Sequence, residues 1–190
     1  LKIISLYHNE KLLVKKATAG NREAQKFLYD KYSPKMLSVC RQYIKDLHFA
    51  EDVMVSGFVK VFKNMGHFRH EGSFEGWIRK IMVRECITYL RKSKPVIFDD
   101  EVCERASIHV NTDISLLDME EIQLLIDALP SGYKMVFVLY ALEGYKHNEI
   151  GSMLGISEST SKSQLFKARK MLQQQLQLLG ISKGAKIGMK

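Results

Sequence analysis

Three prolines and three cysteines in 190 residues leave little to punctuate or staple this chain. Cys40, Cys86 and Cys103 lie far apart, with no Cys-x-x-Cys and no paired histidines, so neither a zinc site nor a disulfide framework is expected. Cys40 and Cys86 read as small apolar groups inside helices. No apolar run approaches the length of a membrane span, and no signal peptide is visible. Membrane insertion is therefore not expected, and cytoplasmic residence is. Clustered carboxylates are missing outside Asp99-Asp100-Glu101, and that cluster falls where helical periodicity has gone. An enzyme working on nucleic acid needs such a cluster for metal, or a nucleophile beside a base. The chain is read as a non-enzyme, with no cofactor and no metal. One further absence is the most informative: Ser159 to Lys190 contains no Asp or Glu against seven Lys and Arg. A merely solvated helix mixes signs to gain i,i+4 pairs. A helix of one sign pays in repulsion unless something negative lies against it.

The whole chain carries a net charge of +8 and a pI near 9.3, which favours a polyanionic partner. The charge is unevenly spread. Residues 1–95 hold 19 basic and 9 acidic side chains, whereas residues 96–130 hold one basic and nine acidic. Two basic blocks separated by an acidic one suggest two modules that each face nucleic acid.

Nearly every periodic stretch has helical spacing, and nothing alternates at period two. The expected class is all-α: two small helical domains joined by a flexible acidic linker, the second containing a helix-turn-helix. Boundaries are placed at 1–94, 95–116 and 117–190, the last with a basic C-terminal tail. Pro34, Pro95 and Pro130 are each expected where an element starts or ends. Ala24, Phe27, Leu28 and Tyr32 form one apolar stripe, and Met36, Leu37, Cys40, Tyr43 and Ile44 the next. Val53, Phe58, Val61, Phe62 and Met65 predict a third helix, entered after Ala50-Glu51-Asp52, whose acids suit a helix N-terminus. Phe74, Trp77, Ile78 and Ile81 open a fourth, running to about Lys92. Between 95 and 116 acid gathers (Asp99, Asp100, Glu101, Glu104, Asp113), and some 22 extended residues reach about 70 Å. Helicity resumes near Leu116 and Leu117, then passes through Ile122, Leu125, Ile126 and Leu129 to Pro130. Met135, Val136, Val138, Leu139 and Leu142 follow in a further helix.

Residues 143–172 carry the sharpest pattern. Ile150 and Leu154 repeat at helical spacing, Gly155 supplies a left-handed stop, Ile156 plugs the turn and Ser157 caps the next helix. Leu165, Ala168 and Leu172 face inward, while Lys162, Ser163, Gln164, Lys167, Arg169 and Lys170 populate the remaining surface. A short helix, a glycine turn and a polar-basic second helix form the layout that enters a DNA major groove. In the first half, Lys80, Arg84 and Arg91 fall in one stripe of the fourth helix with Trp77 on its border. A basic stripe edged by an aromatic suits phosphates and an exposed base. Trp77 also has the spacing of an ordinary core residue. The preceding turn, His67-Phe68-Arg69-His70-Glu71-Gly72-Ser73, again mixes aromatic, basic and flexible residues.

Taken together, these segments resemble a sigma factor of bacterial RNA polymerase, of the extracytoplasmic-function (ECF) group in the sigma-70 family. The first half is similar to the family's second conserved region through Gly20-Asn-Arg-Glu-Ala24, Leu28-Tyr29, Tyr32, Ala50-Glu51-Asp52, Phe68-Arg69 and Gly72-Ser73-Phe74-Glu75-Gly76-Trp77-Ile78-Arg79-Lys80-Ile81. The second half is similar to the fourth region through Leu129-Pro130, Glu143-Gly144-Tyr145, Glu149-Ile150, Leu154-Gly155-Ile156-Ser157, Thr160, Lys162-Ser163 and Ala168-Arg169. The resemblance covers about residues 16–92 and 117–173. It implies that the first domain binds the polymerase clamp through Asp52 and Phe58 and helps open the −10 promoter element. Phe68, Arg69, Trp77, Lys80, Arg84 and Arg91 would contact that element, with a flipped base held by the Phe68 loop and the helix bearing Arg84. The second domain would read the −35 element as duplex through Ser159, Thr160, Lys162, Ser163, Gln164, Lys167 and Arg169. Implied partners are core RNA polymerase, promoter DNA and an anti-sigma factor. The linker would thread the polymerase with its carboxylates standing in for phosphates.

This chain departs from the family pattern at several places. Val55-Ser56 stand where Gln-Glu is usual, so of that motif only Asp52 carries over. Arg84 stands where Asn is frequent, Ser161 replaces an apolar residue and Gln164 an often basic one. A glutamine pairs bidentately with adenine N6 and N7, so Gln164 predicts an adenine in the −35 element. The rival reading is a stand-alone helix-turn-helix regulator that binds operator DNA, which leaves the first domain and the linker without a purpose.

Overall fold

The computed structural model describes residues 9–93 and 119–178. The predicted acidic linker, Leu116, Leu117, Cys103 and the basic tail beyond Leu178 lie outside the described residues. The described residues form helices and connecting turns, with no strand among them. The chain divides into two compact units, Leu1–Lys94 and Pro95–Lys190.

The first unit contains a helix that periodicity did not reveal, α1 (Glu10–Thr18). Asn9 caps it by accepting the Leu12 N–H at 3.1 Å. Leu13, Val14 and Ala17 are its buried face. Helix α2 (Arg22–Tyr43) starts the same way, Asn21 accepting the Ala24 N–H at 2.8 Å. It corrects the expectation for Pro34, which lies inside α2 rather than at a helix end. A proline there removes one intrahelical hydrogen bond. Burial holds the helix together across it, because Leu28 and Tyr32 before Pro34 and Met36, Val39 and Cys40 after it all lie in the core. The Glu10 carboxylate ties α1 to α2, accepting hydrogen bonds from Lys31 Nζ at 2.7 Å and from the Tyr32 hydroxyl.

Helix α3 (Leu47–Asn64) also starts earlier than its acids suggested. Asp46 is the cap, accepting from the N–H groups of His48 at 2.9 Å and Phe49 at 3.2 Å. Ala50-Glu51-Asp52 are thus helical, and Ala50 is wholly buried. A short 3-10 turn (Met65–His67) follows. Helix α4 (Phe74–Ser93) then packs on α2 and α3. Its first turn is held by Ser73 Oγ, which accepts the Gly76 N–H at 3.0 Å. Helices α3 and α4 pack tightly at Gly57, where a Cβ would stand 2.3 Å from Met82 Sδ. Met36, Cys40, Val61, Ile78, Met82, Val83 and Cys86 make the core, and the free thiols of Cys40 and Cys86 are buried within it.

In the second unit, α5 (Met119–Asp127) leads through Pro130 into α6 (Ser131–Phe137). The chain then widens into a π turn, Val138–Leu142, with Glu143 N–H bonded to Val138 O at 3.1 Å. Met135, Val136, Val138 and Leu139 are buried, but the expected inward Leu142 is exposed. The wider turn rotates it out of the apolar face. Lys134 Nζ lies 2.6 Å from Asp127 Oδ1, an ion pair whose side chains are 10% and 1% exposed. Helix α7 (His147–Leu154) and helix α8 (Glu158–Leu178) complete the unit, and α8 packs on both α6 and α7.

Candidate nucleic-acid interfaces

The second unit builds its interface from a turn of three residues. Gly155 ends α7 at φ +71°, a left-handed conformation that costs a glycine little. Its N–H and that of Ile156 both bond to Gly151 O, at 2.8 and 3.1 Å. Ser157 caps α8 by accepting the Thr160 N–H at 3.0 Å, and its hydroxyl also meets the hydroxyls of Ser159 and Thr160 at 2.8 Å each. Ile150, Leu154, Leu165, Ala168 and Leu172 lock the two helices together. Each buried Leu or Ile contributes about 1.5–3 kcal/mol to that packing. The packing fixes which side of α8 faces outward.

Seven residues of α8 were expected to reach DNA, and the structure separates them. Ser159 and Lys162 are exposed, while Thr160, Ser163, Lys167 and Arg169 are half-buried along the same side. Gln164 is 0% exposed. It points into the unit, so the adenine contact assigned to it is withdrawn. Its polar type put Gln164 among the outward residues, whereas its position lies three residues after Ser161 and one before Leu165, on the buried face. Ser161 is 0% exposed as well, and its hydroxyl meets His147 Nδ1 at 2.9 Å. The residue that sequence reading missed is Phe166, 70% exposed in the middle of the basic surface. Its signal was present: it falls four residues after Lys162 and four before Lys170, off the Leu165 stripe.

Charges on this face are engaged within the unit. Lys162 pairs with Glu158 at 2.6 Å, both half-exposed or more. The Arg169 guanidinium lies over the Tyr140 ring at 5.6 Å, and the His147 ring stacks on the same tyrosine at 4.6 Å. Partial burial first, and then the charges of Lys162 and Arg169, hold the His147 imidazole below its ordinary value.

In the first unit the loop after α3 is bound to α4 by aromatic rings. Phe68 lies 5.1 Å from Phe74, 5.6 Å from Trp77 and 4.7 Å from His70. Phe74 is core; Trp77 stacks on it at 5.6 Å and stays half-buried. His70 takes a left-handed φ of +59°, a strained choice for a histidine. A cleft of about 350 Å³ opens between this loop and α1, lined by Lys11, Lys15, Thr18, Met65, Phe68 and His70. Arg69, Lys80, Arg84 and Arg91 are exposed, the last three along α4.

Of the two residues expected to touch polymerase, Asp52 is exposed on α3 but Phe58 is 2% exposed. Phe58 packs edge-on against Tyr29 at 4.8 Å and beside Phe62. It is a core residue, and its assignment as a contact is corrected. The outward face of α3 carries Asp52, Val55, Ser56 and Val59 instead, the two valines 48% and 47% exposed.

Comparison with known proteins agrees with both halves. Residues 28–95 match the family model Sigma-70 region 2, and residues 119–172 match Sigma-70, region 4. The RNA polymerase sigma factor SigV of Bacillus subtilis (strain 168) is 30% identical over 135 residues, 70% of this chain and 80% of that protein. The ECF RNA polymerase sigma factor SigW of the same organism is 27% identical over 176 residues, 86% and 94% of the two chains. Among solved structures, the sigma factor RpoE in complex with the anti-sigma factor NepR from Bartonella quintana aligns with a TM-score of 0.53 at 18% identity. That alignment covers 83% of this chain and 98% of that one, and it speaks for the fold.

Proposed function

Since this chain belongs to the sigma-70 family of RNA polymerase sigma factors, in its ECF group, we propose that it binds core RNA polymerase and directs promoter-specific initiation. The observation that carries this reading is the presence of both family regions, in order, on two separately packed units of one chain. A stand-alone regulator uses only the second.

The roles follow from the exposed surfaces. α8 lies in the major groove of the −35 element, with Lys162, Ser163, Phe166 and Lys167 toward base edges and Arg169 toward phosphate. In the first unit, the cleft between α1 and the Phe68 loop takes an unstacked base of the −10 element. Arg69, Lys80, Arg84 and Arg91 follow its backbone, with Trp77 beside them. The outer face of α3 docks on polymerase through Asp52, with Val55 adding apolar area where the family usually has a polar side chain and Val59 extending it. The contribution is binding rather than chemistry, exerted in the cytoplasm. Among the described residues no helix is long and apolar enough to cross a membrane. An anti-sigma partner that covers these surfaces is part of the proposal, as with the Bartonella quintana protein solved in such a complex.

The test is transcription by purified chain plus bacterial core polymerase on a promoter library, with start sites sequenced. Start sites sharing two spaced elements are the expected result. Failure of the chain to retain core polymerase in a pull-down overturns the reading in favour of an operator-binding regulator.

A further inference from the structure

The second unit holds a titratable group that the roles above leave unused. His147 opens α7 and reaches across to α8, its Nδ1 2.9 Å from the buried Ser161 hydroxyl. Its ring stacks on Tyr140 at 4.6 Å and 24°, and the Arg169 guanidinium sits over that same tyrosine. Lys162 and Arg169 both act on it through space from α8. A histidine, a lysine and an arginine thus gather on the face that reads duplex DNA.

We propose that His147 is a phosphate contact of the DNA interface and takes up a proton when duplex is bound. The proposal rests on reading the second unit as a duplex binder, and it deepens that reading.

The charged groups around the ring decide its protonation. Burial, Lys162 and Arg169 disfavour the imidazolium, and Glu158 alone acts the other way. Glu158 is itself engaged with Lys162. Next to His147 in the chain stands Lys146, whose backbone N–H occupies the Glu149 carboxylate at 2.7 Å. Tyr140 contributes an uncharged ring. These influences favour the neutral imidazole in the free chain. A phosphate laid against Lys162 and Arg169 cancels the two charges that oppose protonation.

The immediate partners of the ring accept either state. A hydroxyl such as Ser161 donates to a bare Nδ1, and after rotating accepts from Nδ1–H. A backbone carbonyl here would serve only the second state, and an apolar residue neither. The face of Tyr140 is more favourable to an imidazolium than to a neutral ring. Only that hydroxyl has to turn over for the ring to keep its partner in both states. The sign follows from linkage. Bound DNA raises the His147 value, so affinity is greatest at low pH and falls as pH rises through the bound-state value.

The test uses the full chain and a short random-sequence duplex at low salt, because a phosphate contact is blind to sequence. The imidazole signal of His147 is identified in an NMR spectrum by its loss in His147→Gln, or in His147→Asn should the first variant not fold. Its titration midpoint is then followed alone and with duplex at saturation. The expected result is a rise of about one pH unit, which corresponds to about a tenfold affinity change across the titration. By fluorescence anisotropy, the wild type should lose about tenfold more affinity than His147→Gln between about pH 5.5 and about pH 8. A midpoint that stays put or falls in saturated complex overturns the proposal and leaves the duplex-binding reading intact. A folded wild-type chain that binds no duplex overturns both.

Discussion

Phe166 shows how one side chain shapes what a reading helix can distinguish. With 70% of its surface exposed between Lys162 and Lys170, it adds little to folding. In a major groove the partner for such a ring is a thymine methyl. Phe166→Ala should leave thermal unfolding unchanged and weaken binding by about 1 kcal/mol, roughly fivefold, at one thymine position. Replacing that thymine by uracil should reproduce the loss in the wild type and add nothing in the variant. Lys162→Ala should lower promoter-specific transcription while core polymerase is still retained in a pull-down, since the DNA contact proposed for Lys162 is on the second unit and the docking residues proposed on α3 are on the first. Glu10 gives a prediction for pH. Partial burial acts to raise its value, but hydrogen bonds from Lys31 and Tyr32 and the charge of Lys31 bring it below the ordinary 4.5. A depressed carboxyl stabilises the fold above its unfolded value and ceases to do so as pH falls through the folded one. Glu10→Gln should therefore cost about 0.5 kcal/mol at neutral pH after solvent screening and nothing at strongly acid pH, measured by thermal unfolding across that range.

At the scale of elements, the helix-turn-helix depends on the backbone of Gly155. A β-branched residue at φ +71° is strained, and Gly155→Val should destabilise the second unit by about 2 kcal/mol. Circular dichroism melting checks it. This turn was legible in advance because each of its parts has a local cause: Gly155 for handedness, Ser157 for the cap, and Ile150, Leu154 and Leu165 for the seam. What was not legible depended on packing at a distance. Helix α1 escaped because its inward set, Leu13, Val14 and Ala17, spans little more than one turn and the exposed Leu12 beside it blurs the stripe. Pro34 and the start of α3 were misplaced because local rules for proline and acids gave way to a continuous buried face and to the Asp46 cap. Gln164 and Phe58 were misassigned for different reasons. Gln164 was placed outward by its polar type, while helix rotation, set by the partner helices, turned it inward; Phe58 was given a contact by family resemblance, although its place in the apolar stripe of α3 already pointed to the core.

For the whole molecule, the division into two units has a thermodynamic counterpart. The Lys134–Asp127 pair is sealed within the second unit, and removing one partner leaves a buried charge that costs about 3 kcal/mol. Asp127→Ala should lower one calorimetric transition and leave that of the first unit where it was. A single transition that shifts as a whole would show the units to be thermodynamically joined. The π turn at Val138–Leu142 has a different reach. It closes the helix on Glu143, whose N–H bonds to Val138 O, and leaves Leu142 outside the apolar face. Because α8 rests on α6 as well as on α7, adding or deleting a residue here would have to prise α8 off α6, so the length of this one coil is tied to the seating of the entire second unit.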